Sequence, residues 1–301
     1  GPQDPISLTQ VRQAGAEGIV TALNHIPTGE SWPVEDILDR KRLIEDAGMV
    51  WSVVESVPVH NAIKTRSGDY ARMISNYQET LAHLGQCGID TVCYNFMPVV
   101  DWTRTNLRYT LPDQSEALRF DITDFAAYDI YVLERPGATQ DYPAEIVDRA
   151  HSYFAELNAE AIDALERNII AGLPGGEGSY DRASIRAAID EFNQFDNDRY
   201  RQHLIAFLEA VIPAAEQAGI RMVIHPDDPP FSLFGLPRVV STAEDVRKLQ
   251  AAVSSPSNGL TLCAGSFGAR GDNDLVAMAR EFAEQIHFVH LRNIKREADG
   301  S

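Results

Sequence analysis

A chain of 301 residues, 44% hydrophobic and 23% charged, has the composition of an ordinary globular protein and is long enough to bury a large core. Its 44 acidic against 26 basic residues give a formal charge of −18, which repels nucleic-acid backbones and anionic membrane surfaces. No apolar run approaches the ~18 residues of a transmembrane helix and no signal peptide opens the chain. Three irregularly spaced cysteines, Cys87, Cys93 and Cys263, fit a reducing, cytoplasmic compartment.

Read from the N-terminus, the chain repeats one junction. Gln13-Ala14-Gly15 precedes the apolar run Ile19–Leu23, Asp46-Ala47-Gly48 precedes Trp51–Glu55, and Gln86-Cys87-Gly88 precedes Thr91–Met97. Gln217-Ala218-Gly219 precedes Met222–His225. Each glycine suits the left-handed position that closes a helix, so a strand begins a few residues after every helix. Between the junctions lie helical spacings: Val34, Ile37, Leu38 and Ile44 behind Pro33, and a second stripe from Ala71 to Leu84.

The unit between Gly88 and Gly219 is far longer than its neighbours, so an insertion at about 103–197 is expected within one domain spanning 1–301. It opens with a predicted hairpin, Leu107–Leu111 and Ala117–Phe120 around Pro112-Asp113. One long helix follows, with Ile146, Ala150, Tyr153, Leu157, Ala161 and Leu165 on one stripe. The glycine-rich stretch Leu173–Ser179 lacks a following Gly-Lys-Ser/Thr and reads as a plain connection. Pro213 is expected to kink or break the helix Arg199–Ala218. An insertion after a barrel strand sits on the catalytic face, which makes it a candidate lid or oligomer contact.

Two further strands, Leu260–Cys263 and Ile286–His290, follow helices marked by Ser241 with Glu244 and by Asn273 before Leu275, Met278 and Phe282. Strand alternating with helix predicts an α/β fold with a parallel sheet, best matched by a (β/α)8 barrel with a mainly helical insertion after the strand ending near Met97. Six strands are visible where such a barrel has about eight, so a first strand before Gly1 and a last strand after Ser301 are expected.

Parallel strands bring their C-terminal ends to one face, and three of these ends carry His225, Cys263 and His290. Each alone reads first as a structural or surface histidine or as a small buried thiol. Three together leave a shared metal site and three structural residues both open. His287, in mid-strand, should face the other way. The same rim collects Asn24, His25, Glu55, Asn95, Asp227 and Asn293, hydrogen-bonding groups that a polyhydroxylated ligand requires. Asp227 and Asp228 also suit capping of the turn before Pro229-Pro230. An anionic ligand would need Arg292 and Lys295 against the overall negative charge.

Six long segments then carry a resemblance. They are Val20–Pro27, Trp51–His60, Cys93–Arg104, His225–Pro230, Leu260–Cys263 and His287–Asn293, and they resemble the mannonate dehydratase family of the sugar-isomerase-like barrels. The resemblance runs over the whole chain. It implies dehydration of D-mannonate to 2-keto-3-deoxy-D-gluconate in hexuronate breakdown, with Mn²⁺, Fe²⁺ or another divalent ion held by His225, Cys263 and His290. It also implies an acidic fourth ligand and an acid or base beyond Ser301. Thiolate ligation by itself leans toward softer ions, Zn²⁺, Co²⁺ or Fe²⁺. Two alternatives stand beside it: a metal-dependent sugar isomerase or epimerase of the same barrel type, and a non-catalytic sugar-binding module.

Overall fold

A computed structural model of the chain describes residues 4–170, 180–299 and 301. The described residues contain eight strands: β1 (Gly18–Thr21), β2 (Val50–Glu55), β3 (Thr91–Tyr94), β4 (Asn106–Thr110), β5 (Glu116–Arg119), β6 (Arg221–Ile224), β7 (Asn258–Cys263) and β8 (Ile286–His290). Six form one sheet in the order β1-β2-β3-β6-β7-β8, parallel throughout. The remaining two, β4 and β5, pair antiparallel as the predicted hairpin.

All six predicted core strands are present. The strand expected to reach Met97 stops at Tyr94, because the Asn95 side chain accepts the Met97 N–H at 3.2 Å and turns the chain. Gly15, Gly48, Gly88 and Gly219 all hold positive φ. At Gly219 that conformation ends the helix Asn197–Ala218 two residues before β6 must enter the sheet.

Two-residue alternation sorts each strand's side chains. Val54, Val92, Tyr94, Met222, Ile224 and Leu260 join the main core shared with the surrounding helices. Their neighbours Val53, Cys93 and Val223 pack with Phe288 in a second cluster on the inner face. In a flat sheet β2 and β8, four places apart, would lie about 19 Å from each other. Here His290 Nε2 at the end of β8 lies 3.2 Å from Glu55 Oε2 at the end of β2. The sheet is therefore strongly curved, a parallel half-barrel whose inner residues meet.

Three local expectations are corrected. The long helix of the insertion is two, Ala144–Glu156 and Ala159–Ile170: Leu157 turns extended and Asn158 accepts the Ala161 N–H, starting a new helix. The helix before β7 is capped by Thr242 with Asp245, not Ser241 with Glu244, because the Ser241 hydroxyl is spent on Asp227. Pro213 does not break its helix, which runs unbroken from Asn197 to Ala218. Its inner face from Tyr200 to Ala215 is buried, and Gln78 Nε2 donates to the Ala210 carbonyl in the turn the proline loosens. The Leu173–Ser179 connection lies outside the described residues.

The segment between β3 and β6 is pinned to the rim of the sheet. Phe120 and Phe125 pack on Phe231 and Phe234 of the loop after β6, and Asp129, fully buried, is bridged by Arg135 at 2.8 Å. Arg119 and Arg149 pair with Glu297 and Asp299, tying the residues after β8 to the same segment.

Close approach of β7 to its neighbours depends on Gly259. A Cβ there would lie 2.5 Å from His287 Cδ2, 2.9 Å from the Gln285 carbonyl and 3.0 Å from Val223 Cγ1. Gly259→Ala is expected to cost roughly 1–3 kcal/mol as strain from overpacking. Urea unfolding followed by circular dichroism measures it, and an unchanged midpoint would contradict this account of the β7–β8 contact.

Candidate metal centre

The inner face delivers three donors to one place. His225 directly follows β6, Cys263 ends β7 and His290 ends β8. One ligand atom from each lies within 4.8 Å of the other two. Strand register explains the meeting: Cys263 pairs with His290, while His225 is held by its backbone N–H on the Tyr94 carbonyl at 2.7 Å.

Outer hydrogen bonds fix which ring nitrogens face inward. His225 Nδ1 lies 2.7 Å from the Pro226 carbonyl and can only donate there, so Nε2 carries the free lone pair. His290 Nε2 donates to Glu55 at 3.2 Å, so Nδ1 faces in. The two inward nitrogens are 3.2 Å apart. Two facing lone pairs repel unless a proton or a cation lies between them, and here a thiol stands beside them. Imidazoles oriented by a carbonyl and a carboxylate are what a metal-ligating pair requires.

Behind the thiol stands a layer of charge. Cys263 is also the N-cap of the short helix Ala264–Gly268, and Ser266 reaches its sulfur with the backbone N–H at 3.4 Å and the hydroxyl at 3.2 Å. Asp228 accepts from Arg104 at 3.0 Å and pairs with Arg292 at 2.8 Å. Arg292 lies flat against Gly265, where a Cβ would come within 1.9 Å of its Nε.

Of the other residues named from sequence, Glu55 joins the centre and Arg292 reaches it through Ser266. Asp227 is spent elsewhere, accepting from the Val240 N–H and the Ser241 hydroxyl. Asn95 caps its own turn. Asn24, His25, Asn293 and Lys295 are exposed, with His25 3.6 Å from Asp36. His287 faces outward to the Pro256 carbonyl. Asp228, Arg104 and Ser266 were not singled out as site residues. The one available signal was Ser266 standing three residues after Cys263, the spacing of an N-cap and its partner.

The D-mannonate dehydratase (UxuA) family profile matches residues 1–301. A mannonate dehydratase of Saccharophagus degradans is 61% identical over 301 residues, covering 100% of this chain and 76% of its own length. One from Marinomonas sp. is 57% identical over 297 residues, covering 99% and 76%. Among solved structures, the mannonate dehydratase of Streptococcus suis serotype2 superposes with a TM-score of 0.77 at 32% identity, over 99% of this chain and 72% of that one. The chain belongs to the mannonate dehydratase family. It is a hydro-lyase that dehydrates D-mannonate, a sugar acid of hexuronate catabolism, to 2-keto-3-deoxy-D-gluconate. The isomerase and sugar-binding alternatives are set aside by these matches. Among the described residues, no helix is long and apolar enough to cross a membrane.

Electrostatics in the dehydratase favour a charged thiol. Burial alone would push the Cys263 pKa up, but hydrogen bonds with His225 and His290, the charge of His225 and the Ser266 hydroxyl pull it down to about 5. Burial opposes charging of His290, but Cys263 and Glu55 outweigh it and lift the imidazole to about 9. Asp228 is held below the usual carboxylate range, its burial overcome by Arg104 and Arg292.

Without added metal, Cys263 is therefore expected to be thiolate at neutral pH. Its ultraviolet thiolate absorbance is expected to fall as pH drops through about 5, and to be missing in Cys263→Ser. Loss of absorbance only near the ordinary thiol value of 9.0 would contradict the arrangement. Gly265→Ala is expected to displace Arg292 and lower kcat/KM for D-mannonate by about 100-fold, the usual scale for a misplacement of about 1 Å. Steady-state kinetics on folded variant would read that loss.

Proposed function

We propose that the dehydration is metal-dependent, with a divalent transition ion held by His225 Nε2, Cys263 Sγ and His290 Nδ1. The observation carrying this reading is the convergence of two inward ring nitrogens, 3.2 Å apart, on a thiol whose pKa is lowered. Two imidazoles and a thiolate form a borderline-to-soft donor set, which fits Fe²⁺, Co²⁺ or Zn²⁺ and accepts Mn²⁺ less readily. When bound, such an ion supplies Lewis acidity to substrate oxygens on which charge develops.

The chain's own residues supply the frame. Glu55 holds the His290 ring by its outer nitrogen, and the Pro226 carbonyl does the same for His225, so both ligands keep one tautomer through the reaction. Loss of water from D-mannonate takes the C2 proton and releases the C3 hydroxyl, leaving an enol that becomes the 2-keto acid. Arg292 and Lys295 contribute positive charge near the rim for an anionic substrate, against a chain of net charge −18. Asn24, His25, Asn95 and Asn293 are proposed as rim contacts to the substrate hydroxyls, while Asp227 shapes the loop behind them.

Three donors fall short of the usual complement of such an ion. The 301 residues span 76% of the Saccharophagus relative's length. We place a carboxylate ligand and the acid–base group in the part of the fold outside residues 1–301. There, further strands pair with the free sides of β1 and β8 and complete an eight-stranded barrel. In that barrel 1–301 forms a single domain, and about 103–197 is its insertion, covering the rim through Phe120, Phe125 and Arg104.

Cys263→Ser and His225→Ala are each expected to lower bound metal by at least about tenfold and to abolish keto-acid formation from D-mannonate, with circular dichroism unchanged. Elemental analysis and a keto-acid assay on the full-length enzyme measure both. Full metal content with near-normal turnover in either variant would remove the proposed centre.

A further inference from the structure

One buried hydroxyl behind the centre is left over once ligands and fold have been accounted for. Ser266 is fully buried. Its Oγ lies 3.2 Å from Cys263 Sγ, 3.1 Å from Asp228 Oδ2 and 3.1 Å from Arg292 Nη2. A hydroxyl has one proton and two lone pairs, so these three contacts cannot all be made the same way. Arg292 only donates, and it fills one lone pair. The single proton then goes either to Asp228 or to Cys263.

Donor counting decides between them. Asp228 already receives both Nη atoms of Arg104, at 3.0 and 3.4 Å, and is ion-paired with Nη1 of Arg292 at 2.8 Å. Among the described residues, the sulfur, outside the two imidazoles, has only the Ser266 backbone N–H at 3.4 Å. An anion short of donors gains more from a hydroxyl than one already served by two guanidinium groups. We propose that Ser266 is a positioning residue: its hydroxyl donates to the Cys263 thiolate and, backed by Arg292 and Asp228, aims the sulfur at the ring nitrogens of His225 and His290. Arg292 thereby acts on the sulfur through Ser266, and Asp228 holds Arg292 in place. The inference rests on the reading of Cys263 as a metal ligand.

Two effects follow from removing the hydroxyl. The sulfur loses a directional restraint, so a metal ion is bound less tightly. It also loses the hydrogen bond that stabilises its lone pairs, so it gives up electron density more easily. Co²⁺ reads both, because a thiolate bound to Co²⁺ shows a sulfur-to-metal charge-transfer band. In full-length enzyme freed of metal with chelator and titrated with Co²⁺, wild type is expected to show this band and Cys263→Ser to lack it. Ser266→Ala is expected to keep the band, move it to longer wavelength and raise the Co²⁺ Kd by about 10–100-fold, the range of lost outer hydrogen bonds at metal sites.

Ser266→Cys nearly keeps the volume and offers only a weak S–H donor, so it carries the same direction of change if the alanine variant does not fold. A band at unchanged wavelength with unchanged affinity, in whichever of the two variants folds, would overturn the role of Ser266 while leaving the metal centre standing. Absence of the band from wild type would overturn the centre itself, and the inference with it.

Discussion

A buried thiol between two imidazoles is stable only if each partner is held in a charge state that favours the others. In this chain the requirement falls on Cys263, His225 and His290, whose donor atoms lie within 4.8 Å of one another. Burial by itself would keep all three neutral. The contrary shifts, a thiol drawn down to about 5 and the His290 imidazole raised to about 9, come from their mutual attraction and from Glu55. A site poised this way holds a thiolate and an imidazolium in the absence of metal. A cation can take the proton's place without rearranging the ligands, because their outer hydrogen bonds already fix the tautomers.

The fold exists in this region to bring those strand ends together. Curvature of the parallel sheet carries Glu55 on β2 across to His290 on β8, with Val53, Cys93, Val223 and Phe288 filling the space beneath. The long segment between β3 and β6 then closes over the rim from the other side. Arg104, at its beginning, reaches Asp228 at 3.0 Å, and the Phe120–Phe125 cluster packs on the loop carrying Phe231 and Phe234. The thiol's surroundings and the packing of this segment therefore meet in one ion-pair layer, Arg104–Asp228–Arg292.

Much of this was legible in the sequence, for physical reasons. Repeated helix–glycine–strand junctions survive as local signals, so six parallel strands and the inward direction of His225, Cys263 and His290 follow from alternation and topology. The break at Leu157-Asn158 was missed because an apolar stripe continues across it while the backbone does not. Pro213 leaves its helix unbroken, because the buried face from Tyr200 to Ala215 holds it by tertiary packing. Arg292 was legible, but its joining with Arg104, Asp228 and Ser266 behind the thiol was not, because the four come from separate parts of the chain. Long-range pairing of this kind leaves no periodic trace.

The central claim is that one sulfur and two imidazole nitrogens of this chain bind the catalytic ion. X-ray absorption at the metal edge of full-length enzyme loaded with Zn²⁺ tests it most directly. The account predicts one sulfur scatterer at about 2.3 Å together with imidazole scattering at about 2.0 Å. A first shell of oxygen and nitrogen alone, with no sulfur, would contradict it.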